Sequence, residues 1–281
     1  MSNLASSRSA TLEAAGGPLY YEVAGEGHPL LLVHAGIADH RMWDDQWEEY
    51  SRLYRVIRYD TRGFGGTPIP DRPYNNRQDI YDLLAHLGVS KTYIVGVSRG
   101  GQIATDFTLE HPDMVAALVV VGAGIGGMVD GPEPTPEELR AFEEMDEAES
   151  KEDWERVAGI DVRVWVDGFG RPGGRGDERV REKVRQMCLE NYRRPQGSGQ
   201  PVVLDPPAAG RLSEITVPVL VLVGEYDTSG AQANADALAS GIPGARKVVI
   251  EGTAHVPNME RPDQFNKLVL GFLREAEGAQ S

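Results

Sequence analysis

An α/β fold, built on a mainly parallel sheet with helices on both faces, is what this sequence predicts. Two observations carry that prediction. Short runs rich in Val, Ile and Leu recur along the chain, strand-length and bounded by Gly, Pro or charge, as in strands covered on both faces. Between them lie amphipathic stretches that end at Gly or Pro, so strand and helix alternate.

Taken in order, "LEAAGGPLYYEVAG" reads as two edge strands joined as a hairpin at Gly16-Gly17. The buried-strand runs follow at 29–36, 54–60, 91–97, 115–122, 217–224 and 245–252. Helical patterns fill 44–53, where Trp47, Tyr50 and Leu53 recur at three-residue steps, then 76–88, closed by Gly88, and 101–112, stopped at Pro112. The alternation breaks between about Gly124 and Leu212, where helix formers replace strands. Residues 130–155 hold twelve Asp or Glu against two Lys or Arg, and 171–185 hold six Lys or Arg against three acids. Solvated helix faces are the favoured explanation, and a salt-bridged contact between the two halves is the alternative. The organisation read here is a core domain of residues 1–124 and 213–281, with a helical cap of residues 125–212 inserted as a lid.

The formal net charge of -15 makes nucleic acid and anionic membrane surfaces poor partners. Cys188 is the one cysteine, so no intrachain disulfide forms. The stretch "MSNLASSRSATLEAAGG" lacks the apolar core of a signal peptide, and no run approaches a membrane span. The expectation is a soluble, cytoplasmic protein acting on a small molecule, with no metal and no cofactor.

Gly96-Val97-Ser98-Arg99-Gly100 matches G-x-S-x-G between a strand and a helix, the context this motif requires. A tight turn there strains the central residue and lifts its hydroxyl above the sheet, beside N–H donors at the helix start. The bland alternative is a Gly-rich turn with an N-capping serine. A serine hydroxyl needs a base, and the base needs an orienting acid. Asp227 lies three residues past a strand and His255 follows the next strand, so the order Ser, Asp, His is the one that accompanies this turn. Glu225 is the rival to Asp227. The strand running into His34-Ala35-Gly36 brings further N–H groups beside Ser98, with His34 as a structural hydrogen-bonder. His28, His40, His86 and His111 show no partner pattern. In "VRVWVDGFG", Trp165 and Phe169 are four apart and share a face if the segment is helical. With Ile37 and Val256 they are the candidate substrate-binding residues. For Trp165 and Phe169 the alternative is that they glue the cap helices together.

On these segments, with "VIRYDTRGFGGT" and "GTAHVPNMERPDQF", the chain resembles the α/β-hydrolase superfamily from about Leu19 to Leu273. The resemblance implies an eight-stranded sheet, a helical cap, and catalysis by Ser98, Asp227 and His255. It places the oxyanion donors at Arg99 and Gly36, and makes Asp60, Arg62 and Gly63 structural. The turn reads His34-Ala35 where relatives have His-Gly, and Arg99 stands where many carry Met or Leu. For the Arg99 side chain, a bridge to a nearby acid is favoured over a contact with a substrate carboxylate. The look is closest to small carboxylesterases and 3-oxoadipate enol-lactonases, so a cofactor-free serine hydrolase of an ester or lactone is expected. A carbon–carbon hydrolase of a diketone is the runner-up, set back because relatives with that activity usually have a polar residue where Val97 sits. A ligand receptor of the same fold with slow hydrolysis belongs to a different class.

Overall fold

The computed structural model describes residues 7–129 and 131–280. The first six residues of the stretch read for a signal therefore lie outside the described residues, as do Asp130 and Ser281. Strands β1 (Arg8–Ala14), β2 (Gly17–Ala24), β3 (Pro29–Val33), β4 (Arg55–Tyr59), β5 (Thr92–Val97), β6 (Val115–Val121), β7 (Val219–Gly224) and β8 (Arg246–Ile250) form one sheet. Its order is β1-β2-β4-β3-β5-β6-β7-β8. The β1–β2 hairpin closes on the pair Ala14–Gly17, with Gly17 at φ 106°. Of these two strands only β1 lies at an edge, however, the opposite edge being β8. The other side of β2 pairs antiparallel with β4, Tyr21 opposite Tyr59. A hairpin motif reports its own two strands and not the strand beyond them. From β4 to β8 every pairing is parallel.

The buried runs are continuous because alternate residues feed two cores. Leu30, Leu32, Val95, Val97, Val119 and Val121 face one, with Trp43 and Phe265. Leu31, Val33, Ile94, Leu118 and Val120 face the other, with Leu83 and Phe107. Helices α1 (Asp44–Ser51), α2 (Asn76–His86) and α3 (Arg99–Glu110) lie where the patterns predict them. The first stops at Ser51, which leaves Leu53 in the following turn and exposed.

Between β6 and β7 run α4 (Pro136–Ser150), α5 (Trp154–Asp161) and α6 (Glu178–Tyr192), and α5 continues as a π-helical stretch, Val162–Asp167. A capping box starts α4: Thr135 Oγ1 accepts the Glu138 N–H, and Glu138 Oε2 accepts the Thr135 N–H. Arg185 pairs with Glu155, so one salt bridge does join the basic and acidic stretches. The return limb is stitched to the loop before α2. Gly197 donates to Ile69 at 2.9 Å, Gly199 to Pro70 at 2.8 Å, Tyr74 to Gln200 at 3.1 Å and Val202 to Tyr74 at 2.7 Å. A Cβ at Gly199 would stand 2.1 Å from the Arg72 carbonyl oxygen, so the approach requires glycine. Helices α7 (Ser229–Gly241), α8 (Pro257–Glu260) and α9 (Pro262–Gln280) complete the chain. Among the described residues, no helix is long and apolar enough to cross a membrane.

Candidate active site

Ser98 occupies the single residue between β5 and α3, at φ 54° and ψ −119°. A non-glycine residue adopts this conformation only where its surroundings impose it. The flanking glycines show what imposes it. A Cβ at Gly96 would fall 2.4 Å from the Gly100 carbonyl oxygen, and one at Gly100 would fall 2.3 Å from that of Val33. The strand, the turn and the helix are therefore pressed together with no room for a side chain at Gly96 or Gly100. Its N–H donates to the Val121 carbonyl at 2.7 Å, which pins the turn to the end of β6.

The next residue, Gly122, connects this turn with the two candidate partners. Its φ is 52°, and a Cβ there would stand 2.9 Å from Asp227 Oδ2 and 3.0 Å from His255 Nδ1. Asp227 and His255 are both buried, in the loops after β7 and β8. His255 Nδ1 lies 2.9 Å and 2.8 Å from the two Asp227 carboxylate oxygens. The Thr228 N–H donates to Asp227 Oδ1 at 2.8 Å and holds that carboxylate in place. Glu225 instead accepts the Gly252 N–H at 2.9 Å and is exposed. Among the described residues, Ser98 Oγ has no hydrogen bond, and such bonds often tighten only when substrate arrives.

Across the turn, the Ala35 N–H is taken by Met42 Sδ at 3.2 Å. Gly36 N–H has no acceptor among the described residues, and Gly36 packs against the Arg99 stem, with 3.7 Å from an ideal Cβ to Arg99 Cβ and Cδ. His34 is the hydrogen-bonder that the sequence implies. Its Nε2 accepts the Thr61 N–H at 2.9 Å, and its Nδ1 lies 2.8 Å from the Ala35 carbonyl. Burial lowers its pKa, which keeps the ring neutral for these roles. His40 does have a partner, Asp60 Oδ1 at 2.8 Å. Asp39, His40 and Asp60 bring possible metal-ligand atoms within 4.8 Å of one another. Arg41 occupies Asp39, though, and Asp60 also accepts the His40 and Gly66 N–H groups, so the donor set is already spent on the turn. Arg62 forms a buried pair with Asp79 at 2.7 Å and is structural here.

Two expectations about side chains change. Arg99 makes no bridge to an acid among the described residues. Its guanidinium donates to Thr61 Oγ1 and lies over the Phe64 ring, with Cζ 5.1 Å from the centroid. Trp165 and Phe169 do not share a helix face either. The helical path ends at Asp167, and Gly168, at φ 71°, turns the chain so that the Phe169 N–H reaches the Tyr226 carbonyl at 3.1 Å. The two then part. Trp165 packs against the His255 ring, centroids 4.5 Å apart, and its carbonyl accepts the His255 N–H at 3.1 Å. Phe169 lines a separate cleft of about 520 Å³ with Arg140, Glu144 and Arg163. Ile37 is buried beside the turn, and its carbonyl accepts from Cys188 Sγ at 3.2 Å. Val256 is wholly enclosed in the core.

The sequence reading missed Arg171. From the middle of the insertion, between the π-helical stretch and α6, it donates to the Gly252 carbonyl at 2.9 Å and pairs with Glu260, whose other oxygen accepts the Ala254 N–H at 2.8 Å. Arg171 thereby grips both ends of the His255 loop. Its partners lie more than eighty positions downstream, and no local pattern announces them.

Comparison with known proteins adds a family. A model described as "Alpha/beta hydrolase family" matches residues 30–268. A pimeloyl-[acyl-carrier protein] methyl ester esterase of Aeromonas hydrophila is 24% identical over 89% of this chain and 96% of its own. A 2-hydroxy-6-oxo-6-phenylhexa-2,4-dienoate hydrolase of Comamonas testosteroni is 24% identical over 92% of this chain and 91% of its own. Among solved structures, Est816, described as an N-acyl homoserine lactone degrading enzyme, superposes with a TM-score of 0.73 at 26% identity, covering 94% of this chain and 100% of that one.

Proposed function

The chain belongs to the alpha/beta hydrolase family, and from that premise we propose that it is a cofactor-free serine hydrolase of carboxylic esters or lactones. One observation carries the reading. The strained Ser98 turn is tied to the end of β6 one residue before Gly122, and Gly122 abuts the buried His255–Asp227 pair.

In the mechanism that follows, Asp227 fixes His255 through Nδ1 and stabilises the imidazolium, leaving Nε2 to take the Ser98 proton. Ser98 Oγ attacks the carbonyl carbon. The N–H groups of Arg99 and Gly36 receive the oxygen that gains charge, at the start of α3 where the helix dipole favours an anion. Ala35 has no part in this, since its N–H serves Met42. His255 passes its proton to the leaving oxygen, and water, deprotonated by the same ring, releases the acyl group. The insertion acts as a cap whose Trp165 walls the imidazole.

An activated fluorophosphonate tests this reading. One adduct on Ser98, absent from Ser98→Ala, is expected, with multiple turnovers on a panel of activated esters of graded acyl length and simple lactones. Labelling that persists in Ser98→Ala removes the assignment. A single slow turnover per site would place the protein among ligand receptors instead.

A further inference from the structure

We propose that the Arg99 side chain is the specificity determinant of this site and binds an anionic group of the substrate, so that the preferred ester or lactone carries a second, free carboxylate. The proposal rests on the reading of Ser98 as nucleophile and deepens it by naming the substrate class.

The first support is an imbalance of charge. A cation withdrawn from water is costly unless an anion accompanies it. Elsewhere this protein supplies the anion: Arg58 meets Glu22 at 2.7 Å, Arg62 meets Asp79 at 2.7 Å, Arg77 meets Glu110 at 2.8 Å, and Arg171 meets Glu260. Arg99 is half-buried, and no carboxylate among the described residues pairs with it. Its guanidinium donates to the Thr61 hydroxyl, has the Tyr74 and Tyr59 hydroxyls nearby and lies over the Phe64 face, while Asp79, the acid that acts on it, is already paired with Arg62. Desolvation pulls its pKa below the usual guanidinium value. A guanidinium has five N–H donors, so two hydroxyls leave a carboxylate room to bind.

The second support is position. Arg99 immediately follows Ser98, and its stem packs against Gly36. The same residue therefore frames the reacting carbonyl with its N–H and offers a fixed positive charge a short distance away. Arg99 is also the residue that this turn shares with a cleft of about 730 Å³ along α3, whose walls include Ile103, Val202, Leu204 and Pro207 and whose lining includes neither Ser98, Gly36 nor His255. Arg77 lines that cleft too, but Glu110 and the Val202 carbonyl already occupy it. Asp106, two turns further along α3, puts the cleft's own negative charge away from Arg99. Among the charged residues of that lining, Arg99 is therefore the one left to receive a free carboxylate.

The test uses paired substrates of equal length: mono-4-nitrophenyl adipate against 4-nitrophenyl hexanoate, with succinate and suberate monoesters to find the reach. A parallel pair carries the carboxylate on the alcohol half. The wild type should favour the acidic member of at least one pair by roughly 10- to 100-fold in kcat/KM, the range of a charge-assisted hydrogen bond. In Arg99→Met the ratio should fall to about one, and Arg99→Lys should keep part of it, because a charge remains without the fork geometry. The ratio is taken within each enzyme, so any disturbance of the oxyanion turn cancels, and a melting curve checks the fold. A wild-type ratio of one or less in both pairs, or a ratio unchanged in Arg99→Met, overturns the proposal. Calorimetry on Ser98→Ala with monomethyl adipate and methyl hexanoate separates the two readings. Discrimination there without any Ser98 labelling would sink the hydrolytic reading alone, whereas Ser98 labelling with no discrimination would sink the Arg99 reading alone.

Discussion

Asp227 and Glu225 stand two residues apart in one loop, yet only Asp227 meets the His255 ring. Replacing it with Asn keeps the shape and removes the charge that orients the imidazole. Turnover in Asp227→Asn should fall roughly 1,000- to 10,000-fold in a single-ester assay, while Glu225→Gln should retain most of it. Asp106 gives a prediction about stability. It is buried, its Oδ1 has no partner, and desolvation pushes its pKa up to about 6. The folded state then binds a proton more tightly than the unfolded state does, so stability is lost as pH rises from about 4 to about 6 and stays lost above that. Asp106→Asn should therefore gain about 2 kcal/mol over wild type at pH 7 and almost nothing at pH 4, read from urea midpoints. At this scale Ser98, Asp227 and His255 were legible because each is marked by a nearby strand end. The surroundings of Arg99 were not, since Thr61, Phe64 and Tyr74 reach it from loops that share no periodicity with α3.

Among the elements, the strands were legible because apolar runs report burial on both faces. The partner of β2 was hidden, because pairing across a sheet leaves no local mark. The face that Trp165 and Phe169 would share on a helix is broken at Gly168, and the stretch from there to Arg171 carried no legible pattern. Two anchors flank Gly168 instead, one on His255 and one on the loop that carries it. Two predictions follow from those anchors. Trp165→Ala should lower kcat for small and bulky esters alike, about tenfold, because the imidazole loses a wall that fixes its orientation. Arg171→Met strands the Glu260 charge and should cost about 3 kcal/mol of stability. Adding Glu260→Gln should restore most of that stability without restoring kcat, since the His255 loop stays unheld. Recovery of kcat in the double variant would show that Arg171 serves stability only.

For the molecule as a whole, one apolar cluster runs from the sheet into the insertion. Leu32, Val95 and Val119 share it with Val162, Val166, Val184 and Met187. Calorimetry should accordingly show a single cooperative unfolding transition, with calorimetric and van't Hoff enthalpies equal. Replacing residues 136–192 by a short linker should leave an aggregating protein rather than a smaller soluble one, because that face would be bare. The place where the insertion interrupts the chain was legible from the loss of the strand pattern. Its stitched return limb was not, because "PQGSGQP" looks like an ordinary loop until its backbone is seen paired to residues 69–74. That stitch has a consequence for anyone building chimaeras. A transplanted cassette that ends at Tyr192 would inherit the host's limb and lay a foreign roof on mismatched seams. The crossover belongs after Leu204, and residues 69–74 have to travel with it as the other half of the fastening.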